Sequence, residues 1–126
     1  MVERASIHID GFKHANPIPN ASRIGNLVVS GVFMGRDSRT NATPPDLAGQ
    51  CALVFRHIRD TVEAAGGTTA NIIKVSVWLK DPARRDELNA EWVKMFPDPH
   101  SRPARHTQRD PSDSPYLVQC EFMAVL

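Results

Sequence analysis

Hydrophobic and polar residues alternate in several short stretches, which is the pattern of β-strands with one buried face. Residues 73–79 show it most clearly, because every second position there is aliphatic. The turn pair Gly25-Asn26 joins a short strand ending at Ile24 to another that starts at Leu27, which predicts a hairpin. In all, alternation predicts strands at residues 6–9, 27–30, 73–79, 105–109 and 117–125.

Two other stretches follow helical spacing. Residues 47–65 carry one apolar stripe, Pro45 suits the first turn of a helix, and Gly66 provides a stop. Residues 83–96 predict a second helix that ends before Pro97. The apolar side of this second helix consists of Leu88, Trp92 and Met95.

The order of these elements predicts a single α+β domain over residues 1–126, with both helices packed on one face of a mixed sheet. The last strand carries apolar residues on both of its faces, and Glu121 falls on the second one. We predict that the aliphatic residues of 73–79 lie on this second face, so that the face is largely apolar. The chain has no third layer to cover it, so another subunit is expected there.

Composition narrows the class of protein. The chain has 126 residues, of which 41% are hydrophobic, and a net charge of +1, so it can bury a core but has no field for nucleic acid or an anionic membrane. Cys51 and Cys120 have apolar neighbours and are expected as buried thiols in a reducing compartment. We expect a cytoplasmic protein, because the first residues and the rest of the chain lack a long apolar run. The histidines show no metal-ligand spacing, so no metal site is predicted.

Two arginines, Arg102 and Arg105, flank Pro103 directly before the predicted strand 105–109. Pro103 has no N–H and pushes the residue before it away from helical angles, which predicts a rigid turn. A guanidinium at the start of a strand is a planar fork that matches a carboxylate or a phosphate. The same arginines also fit ordinary surface charges that pair with nearby acids, and this segment alone leaves both interpretations open.

Motifs spread over nearly the whole length resemble the Rid family, also called YjgF or L-PSP. The resemblance rests on Gly25-Asn26-Leu27, Ser30-Gly31, Ala64-Ala65-Gly66-Gly67, Ile73-Lys74-Val75-Ser76-Val77-Trp78-Leu79, Asn89, Arg102-Pro103-Ala104-Arg105 and Glu121-Phe122-Met123-Ala124-Val125. It implies a chorismate-mutase-like α+β fold, assembled as a homotrimer with clefts between subunits and no cofactor. It also implies hydrolysis of reactive enamines or imines to a keto compound and ammonia.

The resemblance also implies the site residues. Arg105 matches the arginine that holds the substrate carboxylate, and Glu121 matches the carboxylate that handles the attacking water. The positions that match other residues lining the cleft are Ser30, Gly31, Asn89 and Thr107. Ile18 stands where deaminases of the family have a tyrosine, and His106 is larger than the residue that usually follows the arginine.

Three functions remain open at this point. An imine hydrolase would use Arg105 to position the substrate, Glu121 for proton transfer and backbone N–H groups near Gly31 for developing charge. A non-catalytic trimer would bind a small carboxylate with the same arginine. RNA cleavage is the third, although a net charge of +1 and the lack of a basic stripe disfavour it.

The same residues also fit purely structural roles. Arg105 and Glu121 also fit a structural salt bridge across a subunit contact. His106 is expected in the cleft wall and not as a base, because the charge of Arg105 beside it opposes its protonation.

Overall fold

A mixed seven-stranded sheet with two α-helices on one face is the architecture of the computed structural model, which describes residues 3–126. The strands are β1 (Ala5–Ile7), β2 (Ala21–Ile24), β3 (Leu27–Ser30), β4 (Phe33–Met34), β5 (Ile72–Leu79), β6 (Ala104–Arg109) and β7 (Val118–Val125), and the helices are α1 (Leu47–Ala64) and α2 (Asp86–Met95). The strand order is β1-β2-β3-β7-β5-β6, and β4 pairs with β7 after β3 has ended. The predicted α+β fold with both helices on one face of a mixed sheet is confirmed.

Local sequence explains the two connections that shape this sheet. Gly25 adopts φ 58°, a backbone angle that glycine reaches without strain, and so closes the predicted hairpin of β2 and β3. β5 and β6 run parallel, and α2 forms the crossover between them. β6 is therefore an edge strand, with β5 as its only neighbour in the described chain.

The core fills the space between the helices and one face of the sheet, which we call the helix face. Val75, Val77 and Leu79 of β5 are at most 1% exposed there and pair with β7 residues that are equally buried. The prediction that these aliphatic residues lie on the second face is wrong. The cause is the pairing register, because neighbouring residues of paired strands share a face and those of β7 pack under α1.

A bulge at the start of β5 changes the predicted alternation. The pairing of β5 with β7 shifts between Ile72 and Lys74, so Ile72 is 4% exposed whereas Ile73 is 49% exposed. The prediction that Ile73 shares a face with Val75 and Val77 is therefore wrong. One extra residue in a strand moves the preceding side chain to the other side of the sheet.

The second side of the sheet, which we call the open face, still carries an apolar patch. Leu27 and Val29 of β3 are each 43% exposed, and Met123 and Val125 of β7 are each 38% exposed. Leu27 pairs with Val125 and Val29 pairs with Met123, so the four side chains are contiguous. The patch is thus real, although it is built from β3 and β7, and β5 adds only Ile73 to the apolar residues of this face.

Asn20 connects β1, the following loop and β2 from a buried position. It is 2% exposed, its Oδ1 accepts from the Ile9 N–H at 2.9 Å, and its Nδ2 donates to the Phe12 carbonyl at 2.7 Å. We expect Asn20→Ala to lower the free energy of unfolding by about 2–4 kcal/mol, because two buried backbone groups lose their partners. Urea denaturation of this variant beside Asn16→Ala, an exposed amide in the same loop, measures the difference, and an equal small loss in both would contradict it.

Candidate functional site

Arg105 lies on β6 and turns its side chain to the helix face. It pairs with buried Val75 in the parallel ladder, and its Nη1 donates to the Asn89 Oδ1 of α2 at 2.9 Å. Its guanidinium carbon lies 4.9 Å from the ring centroid of Trp92, one turn further along the same helix. Helix α2 therefore fixes the arginine through an amide and an indole.

Arg105 has no carboxylate partner among residues 3–126. The ion pairs of this part of the chain join other residues, while burial and the charge of Arg85 lower the pKa of Arg105 below its ordinary value. An anion that supplies two oxygens to the guanidinium would stabilise this half-buried cation, which has no counter-ion. Thr107 lies two residues further on the same side of β6, where it pairs with Val77 and is half-buried.

Glu121 lies on β7 and faces the opposite way. It pairs with Ser76 and lines a small pocket of about 80 Å³ on the open face. The other lining residues are Val29, Ser30, Lys74, Ser76, Phe122 and Met123. Next to it the ladder is interrupted, because β3 pairs with β7 up to Met123 and β4 resumes only at Cys120. The break leaves the backbone beside Glu121 uncovered by a continuous neighbouring strand.

Ser30 and Gly31 build that break with their own polar groups. The Ser30 Oγ donates to the Gly31 carbonyl at 2.7 Å and accepts from the Phe122 N–H at 2.8 Å. The Gly31 N–H donates to the Asn20 carbonyl at 2.9 Å. This N–H was expected to stabilise charge on a substrate, but it already has an acceptor within the chain. Ser30 and Gly31 therefore shape the backbone beside Glu121.

Ile18 lies in the loop between β1 and β2, at a different cavity. It is 49% exposed and lines a space of about 530 Å³ together with His8, Lys13 and His14. Arg105, Glu121 and Asn89 take no part in that cavity. Within one chain, the structure thus brings Arg105 to Asn89 and Glu121 to Ser30, and leaves Ile18 apart.

Arg105 and Glu121 are on opposite faces of the sheet, with β5 between their strands. No ion pair joins them within residues 3–126, so a salt bridge inside one chain is excluded. The two groups can share a pocket only when Glu121 of one copy faces Arg105 of another copy. This is the arrangement that clefts between subunits would provide.

Other candidate chemistry is limited in the described chain. Cys51 and Cys120 are buried free thiols, as predicted. Burial raises the pKa of both thiols, that of Cys51 to about 12. From Glu3 to Leu126, no three His, Cys, Asp or Glu side chains are grouped to hold a metal ion. Neither helix of the same residues is long and apolar enough to cross a membrane.

Comparison with known proteins identifies the family. A profile of the family described as Endoribonuclease L-PSP matches residues 11–109. The chain belongs to the L-PSP family, also called the Rid family. The resemblance seen in the sequence is therefore confirmed.

Relatives within the L-PSP family span most of the chain. A RutC family protein of Pasteurella multocida is 30% identical over 102 residues, which cover 79% of each chain. The 2-iminobutanoate/2-iminopropanoate deaminase of Escherichia coli K12 is 28% identical over 106 residues, which cover 81% of each chain. The crystal structure of RidA from an Antarctic Psychrobacter species has a TM-score of 0.88 and 25% identity, with 97% of this chain and 99% of that chain covered.

Proposed function

We propose that this L-PSP family protein hydrolyses a small imine or enamine that bears a carboxylate, and that it releases a keto compound and ammonia. The observation that carries the proposal is Arg105, a half-buried guanidinium oriented by Asn89 and Trp92 and left without a carboxylate in the described chain. The name of the Escherichia coli relative, a 2-iminobutanoate/2-iminopropanoate deaminase, supports the choice of reaction. Both of its named substrates carry a carboxylate next to the imine carbon.

Arg105 would position the substrate. Two parallel N–H···O bonds from its fork to the substrate carboxylate fix the plane of the neighbouring imine carbon. Asn89 holds one guanidinium nitrogen and Trp92 lies against the guanidinium, so the fork is oriented before the substrate binds. Asn89 and Thr107 thus belong to the arginine side of the cleft.

Glu121 would handle the water. The water oxygen bonds to the imine carbon, the C=N electron pair passes to nitrogen, and the water proton goes to the carboxylate. The nitrogen then gains protons, the C–N bond breaks, ammonia leaves, and the carbinol loses its hydroxyl proton as the carbonyl forms. Both protons of the water end on nitrogen, so the reaction balances without a redox step or a cofactor.

A homotrimer would bring the two groups together. Glu121 lies two residues before Met123, within reach of the exposed patch of Leu27, Val29, Met123 and Val125 that a second copy can cover. The pocket at Glu121 holds about 80 Å³ in one chain, which is well below the size of ordinary ligand sites and calls for a wall from another copy. Rotational closure of one such contact produces a ring of equal clefts. We place this trimer of single-domain chains in the cytoplasm, which suits two unpaired buried cysteines.

Two other functions are outcomes of the test. A protein that only binds small carboxylates would use Arg105 without turnover, and Ile18 lacks the hydroxyl of the tyrosine that the family resemblance implies at this position. The family description names an endoribonuclease, but a net charge of +1 provides little attraction for RNA. Partners of this protein are therefore proposed to be a small substrate and copies of itself.

Mixed assemblies test the proposal directly. Arg105→Ala and Glu121→Gln are each expected to lose most of their activity, while trimers formed from both chains should recover part of it. In a ring of randomly mixed chains, about a quarter of the clefts pair an intact Arg105 with an intact Glu121 from the adjacent copy. Ammonia release from 2-iminobutanoate, generated in solution from the amino acid by an oxidase, measures the recovery.

Each result of the mixing experiment has a clear meaning. The same mixing procedure applied to either variant alone should restore nothing, and differently tagged chains confirm that subunits have exchanged. Persistent inactivity of exchanged trimers would contradict a cleft shared between copies. A wild-type protein that binds 2-oxobutanoate but never accelerates imine hydrolysis would be a binding protein, and the proposed reaction would be wrong.

A further inference from the structure

A row of three proton-exchanging side chains crosses the open face. His106 of β6 pairs with Ser76 of β5, and Ser76 pairs with Glu121 of β7. Because directly paired residues project to the same side of a sheet, the imidazole, the hydroxyl and the carboxylate lie side by side. His106 is exposed, whereas Ser76 and Glu121 are half-buried.

The spacing of this row leaves room for a small molecule. Adjacent strands are about 4.8 Å apart, which puts the backbones of His106 and Glu121 roughly 10 Å apart. Ser76 between them has a short side chain, so a groove remains between the longer side chains of His106 and Glu121. An imine group or a water fits in the gap between an imidazole and a carboxylate at this separation.

The charges around His106 differ from those expected from the sequence. Arg105 projects to the helix face, toward Asn89 and Trp92, so its guanidinium is on the other side of the sheet from His106. The charged groups on the open face of the neighbouring strands are Lys74 of β5 and Glu121 of β7. The guanidinium of Arg105 therefore does not prevent His106 from exchanging protons on the open face.

We propose that His106 is the second proton-transfer residue of the cleft and delivers protons to the leaving nitrogen. This inference rests on the proposed imine hydrolysis. That reaction needs an acid for nitrogen as well as a base for water, and the donors of Ser30 and Gly31 beside Glu121 already have acceptors within the chain. The Ser30 hydroxyl donates to the Gly31 carbonyl, and the Gly31 N–H donates to the Asn20 carbonyl. Besides His106, Lys74 is the other basic group of the open face that can donate a proton there.

The three side chains of the row can then carry every proton that the reaction transfers. Glu121 takes a proton from water as the C–O bond forms, and the imidazolium of His106 gives one to the nitrogen as the C=N pair moves onto it. The Ser76 hydroxyl, between them, returns the proton from the carboxylate to the imidazole. A second passage in the same direction accompanies C–N cleavage and the loss of ammonia.

Substitution of His106 tests this role. We expect His106→Asn to lower kcat roughly 100-fold with KM changed less than about threefold, because proton transfer is lost while Arg105 still binds the carboxylate. The slope of kcat against pH should also change in this variant, because the imidazole that exchanges protons is absent. His100→Asn, an exposed histidine on the turn after α2, is the matched control and should keep the wild-type rate and slope.

Chemical rescue separates proton transfer from a structural effect. Free imidazole added to His106→Ala should restore activity at least severalfold, and it should not restore Glu121→Gln. A His106→Asn variant with a wild-type rate and pH profile, beside an inactive Glu121→Gln, would overturn the role of His106 and leave the hydrolase proposal standing. Full activity in Glu121→Gln and Arg105→Ala as well, or a wild-type protein without activity, would overturn both.

Discussion

Replacing Glu121 with glutamine is expected to lower kcat for 2-iminobutanoate hydrolysis by roughly 10²–10⁴-fold, the range that a general acid–base group contributes. The amide keeps the size and the neighbours of the carboxylate, including Ser76 and Lys74, but it cannot accept a proton from water. In the proposed cleft, Arg105 of another copy binds the substrate, so KM should change little. Steady-state rates of ammonia release, followed beside thermal unfolding, measure the effect.

Glu63→Gln is the matched control for this substitution. Glu63 is exposed on α1, makes no ion pair in the described chain and takes no part in the pocket of Glu121. Its variant should match the wild type in rate and in unfolding temperature. A Glu121→Gln protein that keeps full kcat would show that water activation belongs to another group, and a large loss of stability would point to a structural carboxylate.

The fold was predictable where a single local rule decides. The alternation of 117–125, the helical stripe of 47–65 and the Gly25-Asn26 turn each predict an element that the structure contains. Local patterns failed at Ile73, because a bulge depends on how β5 meets β7 and leaves no mark in the spacing of apolar residues. The prediction for the face of Val75, Val77 and Leu79 failed because that face depends on the register of β5 against β7.

The residues of the candidate site are inferred from the family resemblance, and the sequence does not predict their geometry. Family resemblance pointed to Arg105 and Glu121, but the sequence does not show which face of the sheet each one takes. That choice depends on the register of β6 against β5, and register is set by tertiary packing across the connection through α2. For the same reason, the sequence does not show that Arg105 and His106 project to opposite faces of the sheet.

Two polar residues with large structural roles gave little signal in the sequence. Asn20 ties three backbone segments together from the core, and Arg23 donates from Nη1 to the Ala65 carbonyl at the end of α1 and from Nε to the Gly25 carbonyl, each at 2.7 Å. Both sit in stretches that look like ordinary polar loop or strand sequence. Their partners lie up to 42 residues away, so no local rule could identify them.

Replacing Arg105 with alanine is expected to lower kcat/KM for 2-iminobutanoate by roughly 10- to 150-fold, which corresponds to about 1.5–3 kcal/mol for a charge-assisted pair with the substrate carboxylate. Arg105→Lys should recover only part of this loss, because an ammonium keeps the charge but lacks the planar fork. Arg109→Ala removes an exposed arginine from the same strand and should leave kcat/KM unchanged.

A substrate without a carboxylate shows whether the loss comes from anion binding. If Arg105 acts by binding the carboxylate, an imine that lacks this group should be hydrolysed slowly by the wild type and at the same slow rate by Arg105→Ala. An equal proportional loss for both imines would mean that the arginine supports the cleft, through Asn89 and Trp92, without touching the substrate. The two substrates and the two proteins thus form a cycle in which a carboxylate-specific coupling energy is the signature of direct recognition.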